Sequence, residues 1–125
     1  MIDLSIVIPT YNERKNIEIL IPALEERLKH KKVNAEIIIV DDNSPDKTGE
    51  LAKELQKKYK NIVVDIRTKE KGIAGAWYKG YTLAKGKYIA TMDADLCHDP
   101  KDLVRMYDCL PTYDIVIGSR YVKGG

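Results

Sequence analysis

Acidic residues recur directly after short apolar runs in this chain. Asp41 and Asp42 follow AEIIIV, Asp93 and Asp95 follow YIATM, and Glu13 stands shortly after LSIVIP. In extended backbone, residues i and i+2 point to the same side, so Asp93 and Asp95 can present both carboxylates to one crevice. Such hard oxygens suit Mg2+ or Mn2+, which take one or two carboxylates together with the oxygens of a diphosphate. A bare Asp-x-Asp is weak by itself, because most such pairs are solvated turn residues. Its place after an apolar run, opposite a second acidic pair, gives it weight. Carboxylates gathered in one place repel one another unless a cation sits among them or some accept hydrogen bonds from neutral hydroxyls.

The other candidates sit beside these. Within Asn43-Ser44-Pro45-Asp46, Asp46 reads as a helix cap, which leaves one of Asp41 and Asp42 to accept from a base or a ribose. Tyr11 is either core packing or a ring laid against a base. Glu13 falls in the first turn of a helix, where a carboxylate is stabilised in any case. Arg120 follows the apolar run DIVI, and a fixed guanidinium suits phosphate better than a flexible lysine does. Lys69 and Lys71 read as solvated loop lysines. His98 is a lone loop histidine to which the sequence gives no catalytic role.

Elements of one kind can bring these groups together. LSIVIP (4–9), AEIIIV (35–40), IVVDI (62–66), YIATM (88–92) and DIVI (114–117) are short, β-rich and bounded by turn residues, as buried strands are. Helical spacing falls between them. Asn12 is placed to cap a helix carrying Ile17, Leu20, Ile21, Leu24 and Leu28, with a kink or restart at Pro22. Leu51, Ala52, Leu55 and Tyr59 mark a second helix. A third, over 72–84, has Ala74, Trp77, Tyr81 and Ala84 as its expected buried side and ends at Gly86. Pro100 opens a fourth with Leu103, Val104, Tyr107 and Leu110. The alternation predicts an α/β fold, three layers deep, with a mostly parallel twisted sheet and helices on both faces. Ligands bind such sheets beyond the carboxyl ends of the strands, which is where the acidic residues stand.

Composition narrows the class. The 125 residues are 44% hydrophobic and 32% charged, sufficient for one domain with a core. Lys and Arg number 21 against 19 Asp and Glu, interspersed, so no electrostatic case for nucleic acid exists. Two cysteines make no disulfide framework, and no opening run resembles a leader, which predicts a cytoplasmic domain. A dinucleotide oxidoreductase needs a Gly-rich turn after the first strand, where this chain has Pro-Thr-Tyr-Asn-Glu. A receiver-type phosphoacceptor carries its acidic pair after the first strand; here the pair follows the second.

Four segments, Pro9-Thr10-Tyr11-Asn12-Glu13, Val40-Asp41-Asp42-Asn43-Ser44-Pro45-Asp46, Asp93-Ala94-Asp95 and Gly118-Ser119-Arg120-Tyr121, resemble the family 2 glycosyltransferases of the GT-A fold. The branch most similar is that of dolichol-phosphate mannosyltransferases and other polyprenyl-phosphate glycosyltransferases. The resemblance implies inverting, divalent-metal-assisted transfer of mannose or glucose from GDP-mannose or UDP-glucose to a polyprenyl (dolichyl) phosphate. It implies that Pro9, Tyr11, Glu13, Val40 and Asp42 line the nucleotide site. Asp93, Ala94 and Asp95 would hold the diphosphate and metal, with Asp93 and Asp95 as ligands, and Arg120 would meet phosphate; Asp95 and Arg120 are the expected catalytic pair. Cys97 departs from the family, in which a Gln able to help hold the metal is common, and Asp99 stands where Pro is frequent. Family domains are roughly twice this long, so residues 1–125 are expected to be the N-terminal, nucleotide-sugar-binding portion. The acceptor half and any peripheral contact with the cytoplasmic face of a membrane would lie in C-terminal parts beyond it. The alternative is a non-catalytic nucleotide-sugar-binding or assembly module.

Overall fold

LSIVIPT and AEIIIVD form strands β1 (Leu4–Thr10) and β2 (Ala35–Asp41), buried along nearly their whole length. β3 (Ile62–Ile66) and β4 (Tyr88–Thr91) complete a parallel sheet in the order β3-β2-β1-β4. Helices α1 (Arg14–His30), α2 (Thr48–Lys58), α3 (Ile73–Leu83) and α4 (Pro100–Cys109) alternate with the strands. The computed structural model describes residues 1–69, 71–119, 121 and 123.

Strand alternation divides the core in two. Leu4, Ile6, Ile8, Ile37 and Ile39 face a cluster built with residues of α1, α2 and α4. Val7, Ile38 and Val40 point the other way, against Ala76 of α3, the one helix on that side among the described residues. Both faces of β1 and β2 are therefore covered, which is why their sequences are apolar throughout rather than alternating.

Pro22 neither ends nor restarts α1, which runs as one helix across it. A mid-helix proline costs about 3 kcal/mol or more. Ile17, Leu20, Ile21, Leu24 and Leu28 are buried on both sides of it, and each contributes about 1.5–3 kcal/mol. Packing wins. The capping expectation fails by one residue: Glu13 holds the N-cap position, and Asn12 lies in the left-handed region at φ 53°.

The buried side of α3 also differs from expectation. Ala76 and Gly80 are buried, whereas Ala74 is exposed, Trp77 and Ala84 are half-buried and Tyr81 is 42% exposed. A Cβ built on Gly80 would lie 2.2 Å from Val7 Cγ1, so the helix approaches β1 on its smallest residues. Bulky side chains are displaced to the flanks of that contact.

The expected fifth strand at 114–117 is absent among the described residues. Ile115 and Ile117 are about four-fifths exposed at 78% and 81%. Apolar β-formers make a strand only where a partner accepts and donates the ladder hydrogen bonds. The segment runs past α4 instead: a Cβ on Gly118 would lie 3.1 Å from Met106 Sδ.

Candidate functional site

A cavity of about 300 Å³ opens beyond the carboxyl ends of the strands. Pro9, Thr10, Tyr11 and Glu13 line it from the end of β1, and Asp42 from the end of β2. Asp93 and Asp95 come from the segment after β4, and Ile73 and Ala76 from the start of α3. The chain passes from β1 through β2 to β3 on one side, then returns to place β4 on the other side of β1. The cavity thus sits at the switch point where open parallel sheets receive ligands.

Asp41 and Asp42 have separate tasks. Asp41 is buried and saturated: its carboxylate accepts from Thr10 Oγ1 at 2.7 Å, Ser44 N at 2.9 Å and Ser44 Oγ at 2.6 Å. It ties the end of β1 to the turn after β2 and faces no ligand. Asp42 Oδ2 accepts from Gly72 N at 2.7 Å, while the buried Oδ1 receives no hydrogen bond. The Arg67 guanidinium lies 3.5 Å from that oxygen, and both side chains are only 10% exposed. Of the pair, Asp42 retains acceptor capacity next to the cavity.

The turn after β2 also fixes Tyr11 and Glu13. Ser44 Oγ accepts from Asn12 N at 2.9 Å, and Thr48 Oγ1 accepts from Glu13 N at 3.0 Å. Asp46 accepts from Thr48 N at 3.0 Å, from Thr48 Oγ1, and from Arg14 N at 3.1 Å. One carboxylate thus accepts from the first N–H of both α1 and α2, although Lys47, not Asp46, holds the N-cap position of α2. Partial burial pushes its carboxyl up, but the Thr48 and Arg14 hydrogen bonds and the Arg14 charge hold it below its ordinary value of 3.8. Tyr11 is 53% exposed at the cavity, which removes the core-packing alternative.

Asp93 and Asp95 flank Ala94, which is buried in the core at 2% exposure. That alternation turns the two acids away from the core and into the cavity. Asp95 Oδ1 accepts from Cys97 N at 3.0 Å. Asp93 N donates to His98 Nδ1 at 3.1 Å, leaving the neutral ring's proton on Nε2, which lies 3.9 Å from Asp93 Oδ2. Among the described residues no three His, Cys, Asp or Glu side chains are grouped closely enough to enclose a metal. Two carboxylates on an open cavity fit Mg2+ or Mn2+ only as part of a set completed by ligand oxygens, which is how these ions are commonly held beside phosphates.

The structure brings Pro9, Tyr11, Glu13, Asp42, Asp93 and Asp95 to one cavity. It does not bring the side chains of Val40 and Ala94 there, since both are buried in the core. Arg120 lies outside the described residues. Arg67, which sequence reasoning missed, supplies the guanidinium paired with Asp42. The signal was available, because Arg67 immediately follows β3 at the same carboxyl-end level as the acids that follow β2 and β1. His98 beside Asp93 had no comparable signal.

The model of glycosyl transferase family 2 matches residues 5–125. The chain belongs to that family. It is 47% identical over 122 residues to a dolichol-phosphate mannosyltransferase of Pyrococcus furiosus, covering 97% of this chain and 34% of the relative. It is 35% identical over 124 residues to the dolichol-phosphate mannosyltransferase of Saccharomyces cerevisiae, covering 98% of this chain and 46% of that one. The chain thus spans from a third to under half the length of these curated relatives. Its fold matches, with a TM-score of 0.74, a mannosyltransferase of Pyrobaculum calidifontis in complex with GDP-Man and Mn2+. That match covers 86% of this chain and 32% of the other at 24% identity, and it establishes the GT-A-like fold alone. Among the described residues no helix is long and apolar enough to cross a membrane.

Proposed function

We propose that this family 2 domain binds a nucleotide-diphosphate sugar, and that the protein to which it belongs moves mannose or glucose from it to a polyprenyl phosphate. The observation that carries this reading is the convergence of Asp42, Asp93, Asp95 and Tyr11 on one cavity at the strand ends. The mannosyltransferase names of relatives sharing 35–47% of residues with nearly the whole chain favour a lipid-phosphate acceptor. Residues 1–125 then constitute the donor-binding part, working in the cytoplasm beside the membrane leaflet that presents the acceptor.

Each residue has a chemical role in this reading. Tyr11 offers a ring face to the base, and Asp42, which lines the cavity wall, accepts from a base N–H or ribose hydroxyl. Pro9 and Glu13 shape the wall beside them, and Val40 and Ala94 act through their backbone. Asp93 and Asp95 would hold Mg2+ or Mn2+, which when bound would neutralise charge on the leaving nucleoside diphosphate. Arg120 adds a guanidinium for phosphate. The acceptor phosphate is already largely ionised near neutral pH, its second pKa being about 6. No strong general base is required, and a single displacement inverts the anomeric carbon.

Incubating the chain with GDP-mannose or UDP-glucose, Mn2+ and a short polyprenyl phosphate tests the proposal. Lipid-linked hexose of inverted configuration is the expected product; a retained configuration would overturn the mechanism. The chain's short span relative to its relatives favours one second reading, a donor-binding module without turnover. Mn2+-dependent nucleotide binding with no product formed identifies that case.

A further inference from the structure

We infer that His98 is a positioning residue for the metal site: its ring holds the Asp93 backbone so that Asp93 and Asp95 face the cavity together. This role rests on the reading of those two acids as Mg2+ or Mn2+ ligands. It adds the residue that sets them in place.

Asp93 leaves the sheet with a donor in need of a partner. Tyr88 N donates to Asp3 O at 2.9 Å and Met92 N to Val7 O at 3.0 Å, so alternate N–H groups of β4 point to β1. By the same alternation Asp93 N–H points to the opposite edge, where no strand pairs with β4 among the described residues. His98 Nδ1 accepts from it there, at 3.1 Å. The bond engages Asp93 through its backbone and consumes neither carboxylate oxygen. His98 Nε2 lies 3.9 Å from Asp93 Oδ2, beyond hydrogen-bond length, so the neutral ring stands beside the carboxylate without taking it up.

The ring is itself anchored. Asp99 caps α4, its Oδ1 accepting from Lys101 N at 2.8 Å, and Pro100 opens the helix. Leu103 and Val104 bury that helix in the core. His98 therefore sits two residues ahead of a fixed helix and reaches back five residues to Asp93. Between them Leu96 lies in the left-handed region at φ 68°. A residue with a side chain takes that conformation at a cost, and it persists where contacts on both sides impose it. The Cys97 N to Asp95 Oδ1 bond and the Asp93 N to His98 Nδ1 bond both span Leu96 and close the turn. Without the ring, Asp93 N–H would turn to water and the two acids would have to be ordered by the metal itself.

Wild type, His98→Leu and His98→Asn together test the role. Leucine fills the ring's place without an acceptor, whereas asparagine puts Oδ1 where Nδ1 stands. Two quantities are read: exchange of the Asp93 amide by NMR in the metal-free chain, and Mn2+ affinity with GDP from the paramagnetic resonance of unbound Mn2+. His98→Leu should lose protection of the Asp93 amide and at least about tenfold in Mn2+ affinity, at an unchanged denaturation midpoint. His98→Asn should restore both. Wild-type Mn2+ affinity or an unchanged Asp93 amide in His98→Leu overturns the role. So does a His98→Asn variant that fails as His98→Leu does, since the ring would then act through some other contact. A wild-type chain that takes up no Mn2+ even with GDP sinks the metal-assisted donor reading, and the Asp93 amide, measured without metal, still decides whether His98 sets the turn.

Discussion

Asp42 shows how one carboxylate can be charged, nearly buried and still available. Gly72 N–H holds one oxygen and the Arg67 guanidinium stands 3.5 Å from the other. Removing one partner of such a pair is costlier than replacing both, because the remaining charge stays buried. Arg67→Ala should therefore destabilise the protein by about 3 kcal/mol in urea denaturation. The double variant Arg67→Ala, Asp42→Asn should recover part of that loss. An unchanged midpoint for Arg67→Ala would show that solvent, not Arg67, balances Asp42. Asp93 and Asp95 predict the opposite pattern. Neither anchors the fold beyond its loop, so Asp93→Asn and Asp95→Asn should change stability by no more than about 0.5 kcal/mol while removing Mn2+-dependent nucleotide affinity in calorimetry. The Asp93 and Asp95 pair was legible in the sequence because strand alternation sets side-chain direction. The division of labour between Asp41 and Asp42 was not, because it depends on Ser44 and Thr10 meeting Asp41 through tertiary contact. Arg67 changes the electrostatic premise as well, since part of the acidic cluster is balanced by the protein itself.

At the scale of elements, the close approach of α3 to β1 and the shared acceptor Asp46 hold the cavity walls. Gly80→Ala places a methyl on Val7 and should cost about 1–3 kcal/mol by overpacking, read as a lowered denaturation midpoint; no loss would mean that the helix can shift outward freely. Asp46→Ala removes acceptors from two helix starts and should cost about 1 kcal/mol or more. Its carboxyl is held below 3.8 in the folded chain, so the stability it contributes is present above that pH and is lost as pH falls through the lower folded value. The Asp46→Ala variant should accordingly show a shallower loss of stability on acidification, and an identical acid limb would contradict that role. The eight observed strands and helices were readable from apolar period and turn residues. Tertiary contact decided where these readings failed: a restart at Pro22 was outvoted by packing, Asn12 as cap by the neighbouring turn, and the buried face of α3 by the small residues that permit contact.

Across the whole molecule, the order β3-β2-β1-β4 gathers residues from distant parts of the chain to one end of the sheet. The run at 114–117 has strand composition but pairs with no strand among the described residues, and the exposure of Ile115 and Ile117 records that difference. Composition could announce the parallel sheet; it could not announce which runs would find neighbours. The central physical claim is that the strand-end cavity holds a divalent cation together with a nucleoside diphosphate. Paramagnetic broadening of backbone amide signals by Mn2+, with and without GDP, tests it most directly. With GDP present, broadening should centre on residues 9–13, 42 and 93–95 and should weaken in Asp95→Asn. Broadening centred elsewhere, or identical with and without GDP, would contradict it.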